Sequence, residues 1–294
     1  MISFAVIGNC QASPISNFIA SLNSNLKPIK CPPIHTVDKH SPDALYSALS
    51  DVDVIVHQPI SDSFQKASIR EIKKRYPSKT YISFPSIYFN GYFPNLMYLR
   101  LPRGGTLKGI IGDFHDRRVV TGVLDGLSDA EIVQKMSEPT YDLDNIAPIN
   151  DSLKELRGRE SDLDIKVVPL IKESVFEKRL FYVFNHPCNT LLIHVAVSVC
   201  EILGIDINKD ALNECYQRKD YLTGSQAAID FSVLQLMKSV DEQNGLFANR
   251  QSSNHPIFFT IEEFVKEQAN QYRQTTDLEK YYSFALERQK LIGY

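Results

Sequence analysis

The chain has no paired-cysteine pattern of the kind that holds a metal or staples a small domain. Its five cysteines stand at 10, 31, 188, 200 and 215 without a CxxC, and an odd number leaves one unpaired under any disulfide scheme. That usage suits a reducing compartment and argues against a zinc site. Charge of one sign is not in excess either: 32 Lys and Arg face 35 Asp and Glu, for a net charge of -3 and no basic stripe, which argues against nucleic acid as a partner. Neither GxGxxG nor the P-loop pattern occurs, which disfavours a dinucleotide dehydrogenase or a nucleoside-triphosphate enzyme. Long hydrophobic runs are missing. The longest, Leu191 to Leu203, is interrupted by His194, Ser198 and Glu201, and the first apolar segment is too short and uncharged to read as a signal peptide. The expectation is a cytoplasmic protein without a membrane span. Repeats, low-complexity tracts and flexible linkers are also absent, so the 294 residues, 43% hydrophobic, are expected to pack as one compact unit.

What is present is an alternation of strand-like and helix-like segments, the pattern of an α/β fold with a parallel sheet flanked by helices. Strands are expected at Ile2 to Ile7, Asp53 to His57, Thr80 to Phe84 and Leu180 to Phe184, with a weaker one near Pro28 to Ile34. Helices are expected at Pro14 to Asn23, Pro42 to Leu49 and Phe64 to Tyr76, the first with Ser13 as N-cap and Pro14 as its opening residue. Residues 91–175 break the rhythm with Gly and Pro clusters and read as a large helical insertion, including a helix over Ser128 to Met136. Residues 1–90 and 176–204 then form the core. Residues 205–294 read as an all-helical C-terminal region, with Gly204 closing one helix and Thr260-Ile261-Glu262-Glu263 opening another as a capping box.

Ligands of open α/β sheets bind beyond the carboxyl ends of the strands. Those ends are followed by Gly8-Asn9-Cys10-Gln11, His57-Gln58-Pro59, Pro85-Ser86 and Asn185-His186-Pro187. A thiol at a strand-to-helix turn meets backbone N–H groups and a helix dipole, which should lower its pKa, although a buried inert cysteine fits the same segment. Cys10 and His186 suggest a thiol–imidazole pair, with Asn185 or Asn189 fixing the imidazole tautomer. Asn9, Gln58 and the backbone amides of Cys10 and Gln11 could hold an oxyanion. His186 could equally cap its helix, and Gln58 could simply close a loop. His35, His40, His115, His194 and His255 have no evident partners and are assigned structural or solvent roles. Basic candidates for a phosphorylated ligand are Arg100, Arg103 and Lys108 near Gly104-Gly105, and Arg157 with Arg159, although Glu155, Glu160, Asp162 and Asp164 offer those two ion pairs instead.

The ordered set GNCQ at residues 8–11, His57-Gln58-Pro59, Leu156-Arg157-Gly158-Arg159-Glu160 and Asn185-His186-Pro187-Cys188-Asn189 resembles the WcbI-like polysaccharide biosynthesis family over roughly residues 1–205. The resemblance implies a cytoplasmic, homodimeric acetyltransferase of bacterial capsule or related surface-polysaccharide biosynthesis that uses coenzyme A, as acetyl-CoA, for a cosubstrate. It extends distantly to the SGNH hydrolases, with Cys10 where a serine would stand. Val183 and Phe184 occupy the places where an SGNH-type Asp would precede His186, so that triad does not carry over whole. On this resemblance Cys10, His186, Gln11 and Asn9 are the candidate catalytic residues. Gly8, His57, Gln58, Ser86, Arg157, Arg159 and Asn189 are the candidate coenzyme contacts, and no metal is expected.

Three functions remain open on the sequence: acetyl transfer to a sugar hydroxyl, hydrolysis by an esterase or thioesterase, and non-catalytic binding of coenzyme A or a glycan. The run Tyr88-Phe89-Asn90-Gly91-Tyr92-Phe93 could be a platform for a sugar or acyl group, or part of the core.

Overall fold

Short β-branched and aromatic runs alternate with helices from the start of the chain, and the parallel pairing expected of them is what the computed structural model shows. It describes residues 1–140, 146–238, 241–249 and 256–292. In chain order the elements are β1 (Ile2–Ile7), α1 (Ala12–Leu22), β2 (Leu26–Pro28), α2 (Asp43–Ser50), β3 (Val54–His57), α3 (Ile69–Arg75) and β4 (Thr80–Ser83). There follow β5 (Leu96–Tyr98), β6 (Phe114–Asp116), α4 (Arg117–Leu124), α5 (Asp129–Ser137), α6 (Ala147–Glu160), α7 (Val168–Ser174), α8 (Asn189–Ile202) and α9 (Lys209–Gln217). The chain continues through β7 (Ser225–Gln226), α10 (Phe231–Leu234), β8 (Phe247–Asn249), β9 (Ile257–Phe259), α11 (Ile261–Arg273) and α12 (Leu278–Ile292).

The chain divides into two units, one of residues 1–88, 153–174 and 185–222, the other of residues 89–152, 175–184 and 223–294. The first holds a four-stranded parallel sheet in the order β2-β1-β3-β4. Alternate residues of a strand face opposite ways, so Ala5, Ile7 and Ile55 turn together into a cluster with Leu45 and Leu49 of α2 and Ile72 of α3. Phe4, Val6, Val54 and Val56 are buried on the other face. The order reverses between β1 and β3, and that switch point is where doubly wound sheets open a crevice at their carboxyl edge.

The second unit pairs β5 with β6 and builds a three-stranded antiparallel sheet, β7-β8-β9. The C-terminal third is therefore not all helix. Its strands are two or three residues long, too short for an alternating pattern to stand out. Phe247 of β8 stacks on Phe264 of α11 with ring centroids 3.8 Å apart. Thr260 forms the expected capping box with Glu263, and Ser128 forms one with Glu131 at α5. Gly204, at φ +65°, follows the last residue of the α8 cap, as expected.

Leu180 to Phe184 is not a strand. Its apolar side chains are buried, but its backbone is satisfied piecemeal. The Phe184 carbonyl accepts from Phe89 N–H (2.7 Å), the Tyr182 carbonyl from Ala227 N–H (2.8 Å), and the Phe181 carbonyl from the Arg179 guanidinium (3.3 Å). Phe89, Tyr92 and Phe93 are each at most 3% exposed. Phe89 stacks on Phe181 at 5.1 Å, and the Tyr92 hydroxyl donates to the Val175 carbonyl. The aromatic run is core, not a sugar platform.

His115 of β6 shows how this interior handles a titratable group. Its Nε2 donates to the Leu107 carbonyl at 2.9 Å, so Nδ1 is the bare nitrogen that accepts from the Tyr272 hydroxyl. Burial pushes the His115 pKa down from 6.5 to about 4. The unfolded chain takes up a proton below pH 6.5 while the native ring stays neutral until about pH 4. Stability is thus fully present above that window and falls as pH drops through it, by on the order of 3 kcal/mol. Urea midpoints should decline across the same range and decline less in His115→Gln.

Candidate functional site

The Gly8–Gln11 turn is shaped by side chains. Asn9 Oδ1 accepts from the Gln11 N–H at 2.9 Å, an Asx turn, and the Asn9 carbonyl accepts from Ala12 N–H at 3.1 Å. Gln11 is the N-cap residue of α1 and makes no side-chain cap. The expected cap Ser13 and opening residue Pro14 are instead the second and third residues of the helix. Proline is tolerated there because the first-turn N–H groups have no helical acceptor.

Gln11 lies wholly inside, and both ends of its amide are used. Its Nε2 donates to the carbonyls of Ile87 (2.8 Å) and Asn185 (2.9 Å), while its Oε1 accepts from Gln58 Nε2 (2.9 Å) and Ile87 N–H (3.1 Å). Gln58 Oε1 in turn accepts from Asn9 N–H at 2.9 Å, and Asn9 Nδ2 donates to Ser86 Oγ at 3.2 Å. Two buried amides therefore tie together the turn after β1, the end of β3, the segment after β4 and the turn before α8. The same bonds bring Gly8, Asn9, Cys10, Gln11, Gln58, Ser86 and the Asn185-His186 turn into one neighbourhood. Gln11 and Gln58 are positioning residues there. Neither amide is turned toward a ligand, and the Gln11 N–H expected to hold an oxyanion is engaged by Asn9.

Cys10 is half-buried and lines a cavity of about 490 Å³ together with Ser13, Ser16 and Asn17 of α1 and Lys30 and Cys31 beyond β2. Burial pushes its thiol up from the ordinary value, and its own backbone N–H only partly opposes that. The turn does not lower the pKa as its position suggested, because desolvation outweighs the local amide. Cys31, in the same wall, is pushed up to about 11 by burial. Ser16, Asn17, Lys30 and Cys31 were not singled out from the sequence. A signal for two of them was there: Ser13, Ser16 and Asn17 recur at three and four residues, a polar stripe opposite buried Ile15, Phe18, Ile19 and Leu22.

His186 stands half-buried in the turn that Gln11 grips through the Asn185 carbonyl. His57 is placed otherwise. It is 4% exposed, its Nδ1 donates to the Gln58 carbonyl at 3.1 Å, and its ring meets Tyr81 edge-on at 6.0 Å. Burial lowers its pKa to about 4, so it is a neutral packed ring within the sheet layer.

Asn189 opens α8 and clasps the following loop. Its amide donates to the Arg218 and Lys219 carbonyls (3.2 and 3.1 Å) and accepts from Tyr221 N–H (3.1 Å). Arg159 donates to the Tyr88 carbonyl at 2.9 Å, lies over that ring, and is 4.0 Å from Glu155. Glu160 caps α7 by accepting from Val167 N–H, and Asp164 accepts from Ser83. Arg157 lines a separate cavity with Lys166 and Lys172. Arg100, Arg103 and Lys108 belong to the second unit, where Lys108 pairs with Asp113 at 2.6 Å and Arg100 covers Tyr98. His194 bonds the Lys166 carbonyl, and His255 lies outside the described residues. Among the described residues no cluster could hold a metal ion, and no helix is long and apolar enough to cross a membrane.

Gly8 makes the amide hub testable. A Cβ at this position would stand 2.5 Å from Gln58 Oε1, and Gln58 cannot retreat without releasing Asn9 and Gln11. Gly8→Ala should cost about 1–3 kcal/mol by thermal denaturation. Adding Gln58→Ala should then cost less than it does in the wild type, because the two positions are coupled.

A profile of the family described as polysaccharide biosynthesis enzyme WcbI matches residues 3–208. No curated protein matches the chain in sequence. A solved structure matches with a TM-score of 0.74 and 16% identity, covering 98% of this chain and 96% of the other. It is described as WcbI, a novel polysaccharide biosynthesis enzyme, in its native form without a disulfide bond between coenzyme A and one of its cysteines. At that identity the structural likeness speaks for the fold, and the match over residues 3–208 speaks for descent. The chain belongs to the WcbI family of polysaccharide biosynthesis enzymes.

Proposed function

We propose that this protein transfers an acetyl group from acetyl-CoA to a sugar hydroxyl in the assembly of a bacterial capsule or related surface polysaccharide. The observation that carries the reading is the Cys10 thiol in the wall of the 490 Å³ cavity at the carboxyl edge of the sheet. That volume is within the range of about 300–1,000 Å³ usual for small-molecule sites. Its lining suits the pantetheine arm of coenzyme A: Ser13, Ser16 and Asn17 offer hydrogen bonds to the amides and hydroxyl, while Val6, Ala12 and the prolines at 28, 32 and 33 offer apolar surface. The coenzyme and cysteine named together for the solved relative support the same assignment.

Cys10 is the acyl acceptor in this reading. Its sulfur attacks the thioester carbonyl, the bond to the coenzyme sulfur breaks, and the acetyl group rests on Cys10. Exchange of one thioester for another is nearly balanced, and the later step to an oxygen ester runs downhill. Because burial favours the protonated thiol, a base must remove its proton as the bond forms. His186, held beside the turn through Gln11 and Asn185, is assigned that task, and then deprotonates the sugar hydroxyl that attacks the acetyl carbonyl. Asn9 lines the cavity and is the side-chain amide best placed to steady the oxyanion.

Radiolabelled acetyl-CoA without an acceptor should leave about one acetyl group per chain on the wild type and none on Cys10→Ala. Calorimetry should find acetyl-CoA binding retained in the variant. Steady hydrolysis of acetyl-CoA at full speed without a sugar would favour a thioesterase. Binding without acetylation, coupled to undiminished transfer by Cys10→Ala, would favour direct transfer.

A further inference from the structure

Two thiols, not one, face the coenzyme cavity. Cys31 lines it together with Cys10, both are half-buried, and both are free. The remaining cysteines, Cys188, Cys200 and Cys215, are buried at 5% exposure or less. Cys31 sits in the middle of an arch that follows β2. One end is pinned by Ile29 N–H donating to the Phe4 carbonyl at 2.7 Å, the other by Ile34 N–H donating to the Gly8 carbonyl at 3.0 Å. The arch is thereby fastened to both ends of β1, and its far anchor is two residues from Cys10. Pro32 and Pro33 carry no N–H and add no further tie.

We infer that Cys31 is a resolving thiol: it clears coenzyme A from Cys10 when the two have become joined by a disulfide, and leaves a reversible Cys10–Cys31 bond that closes the site. The inference rests on the coenzyme reading above. The chemistry balances. A symmetrical coenzyme A disulfide is the oxidant; the Cys10 thiolate attacks one of its sulfurs, forming the mixed disulfide and expelling one coenzyme thiolate. The Cys31 thiolate then attacks the Cys10 sulfur, the bond to the second coenzyme breaks, and that thiolate leaves. The two protein thiols lose two electrons and two protons, and the coenzyme disulfide gains them as two free thiols.

Placement in one cavity supplies the high local concentration that an internal exchange requires. The raised thiols set its speed. With Cys31 pushed up to about 11, the resolving thiolate is scarce at neutral pH, so the pair resists casual oxidation and exchange quickens with alkali. Its rate should climb about tenfold per pH unit from about pH 7 to about pH 9.

The test is non-reducing intact mass with peptide mapping, on the full chain treated with coenzyme A disulfide. The wild type should gain one coenzyme, then lose it and settle two hydrogens lighter than the reduced protein, with the new bond between Cys10 and Cys31. Cys31→Ser should stop at the coenzyme adduct and hold it until a reductant is added. A wild-type adduct as persistent as that of Cys31→Ser would overturn the inference. The small aromatic disulfide dithiodipyridine separates this failure from failure of the coenzyme reading. If it closes the Cys10–Cys31 bond where coenzyme A disulfide gives no adduct, the thiol pairing stands and the coenzyme assignment falls. If neither reagent closes the bond, the pairing is wrong.

Discussion

The Gln11–Gln58 amide pair is the interaction on which the site depends. A buried primary amide is expensive unless its donors and acceptors are met. Gln11 meets all of its own by gripping Ile87, Asn185 and Gln58 at once. That demand fixes where the turn after β1 stands relative to the turn that carries His186. The thiol and the imidazole are neighbours because a residue that touches neither substrate nor coenzyme cannot otherwise be satisfied.

The sheet supplies the ground for this arrangement. With the order β2-β1-β3-β4, the chain leaves β1 and β3 toward opposite sides, and the gap between their ends is where backbone groups escape the ladder. Gly8 leaves room for Gln58 to lie across that gap, and Asn9 turns the chain into α1. The polar stripe of α1 and the proline-rich arch after β2 then wall a cavity on the β2 side. Desolvation there leaves Cys10 protonated at rest, so its reactivity must come from a base acting in concert with attack, not from a standing thiolate.

Much of this was legible in the sequence because it is local. β1, β3 and β4 show as β-branched runs, and the capping boxes at Ser128 and Thr260 show as short patterns. What was not legible is what depends on distant partners. Nothing near Gln11 announces that its amide will meet carbonyls 76 and 174 residues away. Leu180 to Phe184 has a strand's composition, but Arg179 and isolated N–H groups from elsewhere satisfy its carbonyls and leave no ladder. Cys31 looks like any other cysteine until the arch brings it to the cavity of Cys10. His57 sits at a strand end, as a ligand contact would, yet its side chain follows Ile55 into the layer beneath.

The central claim is that the cavity beside Cys10 receives the thiol-bearing arm of coenzyme A. The most direct measurement is the rate at which maleimide modifies Cys10, followed by peptide mass, with and without saturating coenzyme A. The account expects slow modification of the resting thiol and a further fall of at least about tenfold when the coenzyme is present, as the raised pKa and an occupied cavity require. An unchanged rate under saturating coenzyme A would contradict it.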